Sequence, residues 1–338
     1  MAGINGSMAH LSDAFFTTAI ATYALAAVSY TAEYAFGRKG RIAATAPSVP
    51  AESRVLVGAG GSTVASTPST PVETNPNRRT FADRAGRAAV VITVVGLVLQ
   101  AVSIAIRGLA VDAVPWSNMY EFSSVAGAVG VLAFLAILWK LPAIRHLGGF
   151  VLLPVVLLMF LAGTVLYSKA QPLVPALQSY WLGIHVTLVS IAEGALMTSA
   201  VLTILFLVKQ RHTRLAESPG YRPGSIGNLA ARLPSSATLD KAAYRIVAFA
   251  FPLYTVAIIC GAIWAEAAWG RYLGWDPKET WAFIVWVVYA CYLHARATAG
   301  WKGKAAAWVN LLGFGAITFN FLVVNIVVSG LHSYAGLS

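Results

Sequence analysis

His185 opens one long apolar run of the chain and His332 follows the last such run. Between them lies the stretch WAEAAWGRYLGWDPKETW, where Trp264, Trp269, Tyr272, Trp275 and Trp281 accompany Asp276 and Glu279. Neutral imidazoles bind metals, and two that meet from opposite sides suit haem iron in an aromatic, apolar site. An interfacial histidine is also commonly a hydrogen-bonded structural residue, so the pair carries the reading rather than either ring alone. An interfacial aromatic belt explains one or two tryptophans. Five rings interrupted by Gly270 and Gly274 point instead to a platform for a planar ligand, which the glycines let the backbone approach. Asp276-Pro277-Lys278-Glu279 has the N-cap, N1 and N3 residues of a capping box, so it starts a helix whatever else it does. Its carboxylates need not be catalytic.

His294 lies further down that helix, roughly 27 Å beyond Asp276 at about 1.5 Å per residue. A ligand there needs a second axial partner, and no other histidine of the chain is expected at that depth. Glu193 falls two turns below His185, where a carboxyl is neutral or paired within the bundle. His10, His146 and His212 sit in the leader or beside basic loops and read as solvated. Cys260 and Cys291 form no CxxC motif and read as small buried hydrophobes.

The elements that must position these residues follow from composition. Of 338 residues, 58% are hydrophobic and 11% are charged, against about 25% charged in soluble domains. A soluble enzyme and a disordered chain are both excluded. The fold class is all-α, a polytopic membrane protein of about eight transmembrane helices. The apolar windows are 13–36, 88–106, 122–139, 147–167, 186–208, 246–264, 281–294 with its continuation, and 305–329. Residues 1–36 hold the first helix, 37–87 form a flexible basic loop, and 88–338 form the main membrane domain with the Trp-rich segment at 264–281. Loop 216–238 reads as a second flexible linker. The first apolar stretch lacks a basic leader and is too long for a cleavable signal.

The net charge of +11 is topology information rather than a nucleic-acid footprint. All but four of the 24 Lys and Arg residues fall on one side of these windows, the exceptions being Arg107, Lys169, Arg271 and Lys278. The positive-inside rule makes the crowded side cytoplasmic and both termini extracytoplasmic.

At the Trp-rich segment the chain resembles a known family. WAEAAWGRYLGWDPKETWAFIVW is similar to the WWD signature of the CcsA/ResC proteins, called CcsB in some bacteria, of system II cytochrome c biogenesis. PWSNMYEF with Trp116, LQSYWLGIHV and VSGLHSYAG add to the resemblance, which runs from about Trp116 to Gly336. It implies that His185 and His332 are the extracytoplasmic haem ligands. Trp269, Gly270, Trp275, Asp276 and Glu279 would form the WWD core, with Trp264, Tyr272, Trp281 and Trp116 beside it. His294 matches a transmembrane histidine that receives haem from the inner side, its counterpart lying in a CcsB/ResB-type subunit. One position departs from the pattern: Leu273 stands where the family often has Trp, which makes that edge of the platform aliphatic.

The resemblance further implies a multi-pass protein of the bacterial plasma membrane and a subunit of a cytochrome c synthase. Haem b would be held outside, and its vinyl groups presented to the CxxCH thiols of apocytochrome c for thioether attachment. Thioredoxin-like thiol-reducing proteins would be partners. The chain offers no nucleophile or general base of its own. A haem exporter or chaperone without attachment activity and a membrane electron-transfer cytochrome b are the rival readings.

Overall fold

The computed structural model describes residues 5–36, 81–115, 117–171, 177–298, 300–328 and 330–332. Trp116 and the expected linker over residues 37–80 lie outside them. The described residues form helices and turns with no strand, as an apolar chain must when it satisfies its backbone inside lipid.

The helices are α1 Gly6–Phe36, α2 Phe81–Val111, α3 Met119–Lys140, α4 Gly148–Thr164, α5 Tyr180–Ala216, α6 Ser225–Ala231, α7 Ser236–Trp269, α8 Pro277–Ala297 and α9 Lys304–Thr318. A 3₁₀ turn, Pro142–Leu147, precedes α4, and a π-helical segment, Phe319–Val324, continues α9 into the turn Asn325–Val327. Seven segments among the described residues are long and apolar enough to cross a membrane: α1, α2, α3, α4 with part of its 3₁₀ turn, α5, α7 and α9 with its continuation. The remaining expected span is α8. Its 21 residues reach roughly 31 Å, enough to cross, and its polar residues gather at the two ends as Lys278 and Glu279, then His294 and Arg296.

Most helices outrun their apolar windows because they continue past the hydrocarbon, where hydropathy no longer marks them. The chain is already helical from Phe81, ahead of the loop boundary expected at residue 87. The second expected linker holds α6, and α7 begins at Ser236. Ser235 caps α7, its Oγ accepting from the Thr238 N–H at 3.2 Å. His146 is another correction. The 3₁₀ turn folds it beneath Tyr34, 4% exposed and stacked at 6.0 Å between ring centroids. Cys260 is buried as expected, whereas Cys291 is exposed on the outer face of α8.

Packing follows helix pairs: α1 lies along α2, α5 along α7, and α3 joins the two pairs through α4 and α5. Polar side chains between spans are tied to one another, because lipid offers them no partner. Tyr23 donates to Gln100 Oε1 at 2.7 Å, and Gln100 Nε2 donates to the Ser124 carbonyl at 2.7 Å. Asn310 on α9 donates to Ser199 and Thr203 of α5, at 2.9 and 2.7 Å. The Asn310 bonds tie α9 to α5, the helix that carries His185.

Candidate functional site

The start of α5, the end of α7, the start of α8 and the segment after the last span meet at one end of the bundle. His185, in the second turn of α5, places Nδ1 2.7 Å from the Ala257 carbonyl on α7. A carbonyl only accepts, so Nδ1 carries the proton and the lone pair stays on Nε2. Gly261 makes the approach possible, since a Cβ there would stand 2.7 Å from the ring. The imidazole stacks on Trp264, with centroids 6.3 Å apart and planes 16° apart.

His332 is held by Asp276. Its Nδ1 lies 2.9 Å from Asp276 Oδ2, and Asp276 Oδ1 accepts from the Leu331 N–H at 2.8 Å. The same carboxylate caps α8 by accepting from the Lys278 N–H at 3.2 Å. Gly330 lies so close that a Cβ would sit 2.6 Å from Oδ1. Burial pushes the Asp276 carboxyl upward, but the donors from Leu331, His332 and Lys278 outweigh it and hold it below the usual carboxylate range. Burial lowers the His332 imidazole below its ordinary value, with Asp276 opposing. An anionic Asp276 thus orients a neutral His332 whose Nδ1 donates, the arrangement common behind metal-bound imidazoles.

Trp264, 2% exposed, touches both histidines. Trp269 closes the group at 4.8 Å from Trp264 and 5.1 Å from His332. Glu279 completes the capping box. Its Oε2 accepts from the N–H groups of Gly274 and Asp276 at 2.8 and 3.2 Å. Trp275 between them adopts φ 56°, in the left-handed region. That strained turn is what aims both N–H groups at one carboxylate.

The two histidines line a cavity of about 650 Å³, within the range of about 300–1,000 Å³ of small-molecule sites. Its walls are mostly apolar and include Phe122, Ile258, Tyr272, Leu273, Phe283 and Phe321. Farther in, it meets Glu193, Tyr254, Lys278 and Asn320. Among the described residues no three His, Cys, Asp or Glu side chains converge to hold a bare metal ion. A pair of imidazoles beside an apolar slot fits an iron whose remaining ligands come from a macrocycle.

The wall at Ser117–Phe122 rests on a buried ion network. Glu121 Oε2 accepts from the Ser117 N–H and hydroxyl at 2.9 and 2.8 Å, and Glu121 Oε1 receives Arg107 Nε at 3.1 Å. Arg107 and Glu121 are each 2% exposed, and Arg107 also meets Asp13 at 3.3 Å and the Ser168 carbonyl. Asn118 accepts from the Glu121 N–H and caps α3.

The expected set divides accordingly. His185, His332, Trp264, Tyr272, Leu273 and Glu279 line the cavity, and Trp269 and Asp276 support it from behind. The five-ring platform does not form. Trp275 points outward against Phe283 at 6.3 Å, and Trp281 packs on Phe319 at 4.2 Å. Gly270 is not part of the cavity wall; it closes α7 with φ 70° and donates to the Glu266 carbonyl. Gly274 is covered by the Arg271 guanidinium. His294 is exposed in the last turn of α8, at the end away from the cavity. Sequence reasoning missed Lys278, Asn320, Arg107, Glu121 and Gly261. Polar residues inside apolar windows were a usable signal for Asn320; nothing in the spacing marks Gly261.

Residues 116–332 match the family model described as Cytochrome C assembly protein. The chain is similar to the cytochrome c biogenesis protein CcsA of Guillardia theta, 39% identical over 237 residues, covering 66% of this chain and 77% of the relative. CcsA of Synechococcus sp. (strain JA-3-3Ab) is 37% identical over 268 residues, covering 65% and 77%. CcsA of Gloeobacter violaceus is 35% identical over 277 residues, covering 69% and 81%. The matched region contains every residue of the cavity described above, and the chain belongs to the cytochrome c assembly protein family as a CcsA-type member.

Proposed function

We propose that the chain is the haem-handling membrane subunit of a cytochrome c synthase, with haem b as its substrate. The family gives it a role in cytochrome c maturation in a membrane; the residues of the cavity suggest how it acts. The observation that carries the reading is the shared tautomer of His185 and His332. Each donates through Nδ1 to a fixed acceptor, each rests on Trp264, and each keeps its lone pair on Nε2 at the wall of one apolar cavity.

In this reading the two imidazoles grip the iron, and the apolar walls Phe122, Ile258 and Phe321 hold the porphyrin faces. The substrate brings its vinyl groups. Each takes one S–H of an apocytochrome CxxCH motif across its double bond, forming a thioether without net oxidation. The chain contributes position and orientation, while bis-imidazole ligation keeps the iron from oxygen and peroxide. In this reading this end of the bundle lies outside a bacterial plasma membrane, both termini with it, a topology that the distribution of Lys and Arg supports. His294 is exposed at the far end of α8, and in this reading it shares incoming haem with a CcsB/ResB-type subunit. Thioredoxin-like proteins would keep the substrate thiols reduced.

The test is genetic and biochemical. Cells lacking the chain should lose haem-stained c-type cytochromes, and the wild-type gene, but not H185A/H332A, should restore them. Wild-type levels in the deletion strain would defeat the reading. A reconstituted assay in which the purified complex binds haem but attaches none to a CxxCH peptide would reduce it to delivery.

A further inference from the structure

The cavity does not end at the histidines. His185, Val189 and Glu193 lie on one face of α5, so its lining continues roughly 12 Å from the imidazole level toward the middle of the bundle. There Lys278 enters from the first turn of α8. Its ammonium donates to the Asn320 carbonyl at 3.1 Å. Among the described residues that is its hydrogen bond, and no carboxylate is ion-paired with it. Two of its three N–H donors therefore meet no acceptor among the described residues and face the cavity. Glu193 lines the same cavity as Lys278. Asn320 is 4% exposed, lines the same cavity, and has no partner for Oδ1 among the described residues. It belongs to the π-helical segment Phe319–Val324, a distortion that tends to mark functional positions.

Lys278 is half-buried, and an ammonium set against apolar walls is stabilised by an anion that enters the same cavity. We infer that Lys278, with the Asn320 amide beside it, is a carboxylate subsite that takes one propionate of the bound haem, and that Glu193 competes for the same ammonium. The inference rests on the haem reading above. It also gives α8 a second task. Asp276 at the cap sets His332, and Lys278, two residues on, sets the propionate, so a single helical turn fixes the spacing between iron ligand and acid group. The amide of Asn320 can turn Nδ2 toward the same carboxylate.

The test compares the full-length chain, purified in detergent, in titrations with ferric haem and with ferric haem dimethyl ester, which lacks the charges. Wild type should bind the acid about tenfold more tightly than the ester. K278M should lose that preference by weakening haem alone, and K278R should restore part of it. E193Q should strengthen haem about threefold, by removing the competitor, and leave the ester unchanged. Equal weakening of both ligands by K278M, or an E193Q chain that binds haem less tightly, would overturn the subsite. If K278M does not accumulate folded, the wild-type preference and the sign of the E193Q change decide alone. Spectra that do not respond to H185A/H332A would instead sink the underlying haem reading, whatever the preference for acid over ester.

Discussion

Asp276 Oδ2 and His332 Nδ1 lie 2.9 Å apart across a sequence separation of 56 residues. One carboxylate thereby starts α8, anchors the segment after the last span, and sets the ring that faces the cavity. D276A should destabilise the folded chain by about 1–2 kcal/mol through the lost cap. It should also weaken haem binding about tenfold or more through the freed imidazole. D276N keeps an acceptor but not the charge. Its NH2 must face donors that one carboxylate oxygen now accepts from, so it should lower thermal stability, though less than D276A, and raise the midpoint potential of bound haem, because a less basic His332 supports ferric iron less well. Thermal unfolding and a redox titration check the two outcomes.

Gly261 should be intolerant of even one methyl. A Cβ there stands 2.7 Å from the His185 ring, so G261A must push the imidazole off the Ala257 carbonyl. The expected result is loss of low-spin character in bound haem, at a stability cost of about 1–3 kcal/mol. Gly315 is the control, since a Cβ there meets nothing within 4 Å. G315A should keep the wild-type spectrum.

The buried Arg107–Glu121 pair predicts a larger effect without contact to substrate. E121A leaves Arg107 buried with Asp13 as its remaining charged partner and frees the Ser117 N–H and hydroxyl. Stability should fall by about 3–5 kcal/mol. E121Q, which retains an acceptor, should lose less. Thermal unfolding of the two variants gives the comparison.

Acidification should destabilise the chain in two windows. The imidazole of His332 protonates near 6.5 when unfolded, and burial lowers that value in the folded protein. Just below pH 6.5 the unfolded state therefore binds more protons, and stability falls as pH falls. Asp276 adds the same sign at lower pH, because its folded value lies below 3.8. A plot of melting temperature against pH should be steeper just below pH 6.5 for wild type than for H332Q. Parallel curves would remove His332 from the account.

Much of this architecture was legible in the sequence. Hydropathy located the spans because lipid imposes it, and the capping box read from Asp276 to Glu279 is present in full. His185 and His332 could be paired because one opens a span and the other follows a span on the same side of the expected bundle. The direction of each tryptophan was not legible. It depends on helix register and on the left-handed turn at Trp275, so Trp275 and Trp281 face away from a cavity that their spacing seemed to assign them. Lys278 was read as part of a cap and as an outer charge but not as a site residue, because its neighbour Asn320 is brought to it by a π-helical segment that periodicity does not announce. The buried site of His146 was missed since a basic loop normally stays wet, and here a 3₁₀ turn folds it inward.

The most direct measurement is the absorption and electron paramagnetic resonance spectrum of ferric haem bound to the purified full-length chain. Wild type should show a low-spin bis-imidazole signal, H185A and H332A should each lose it, and added imidazole should restore it in both. An unchanged low-spin signal in the double variant H185A/H332A would show that other groups hold the iron and would contradict the account.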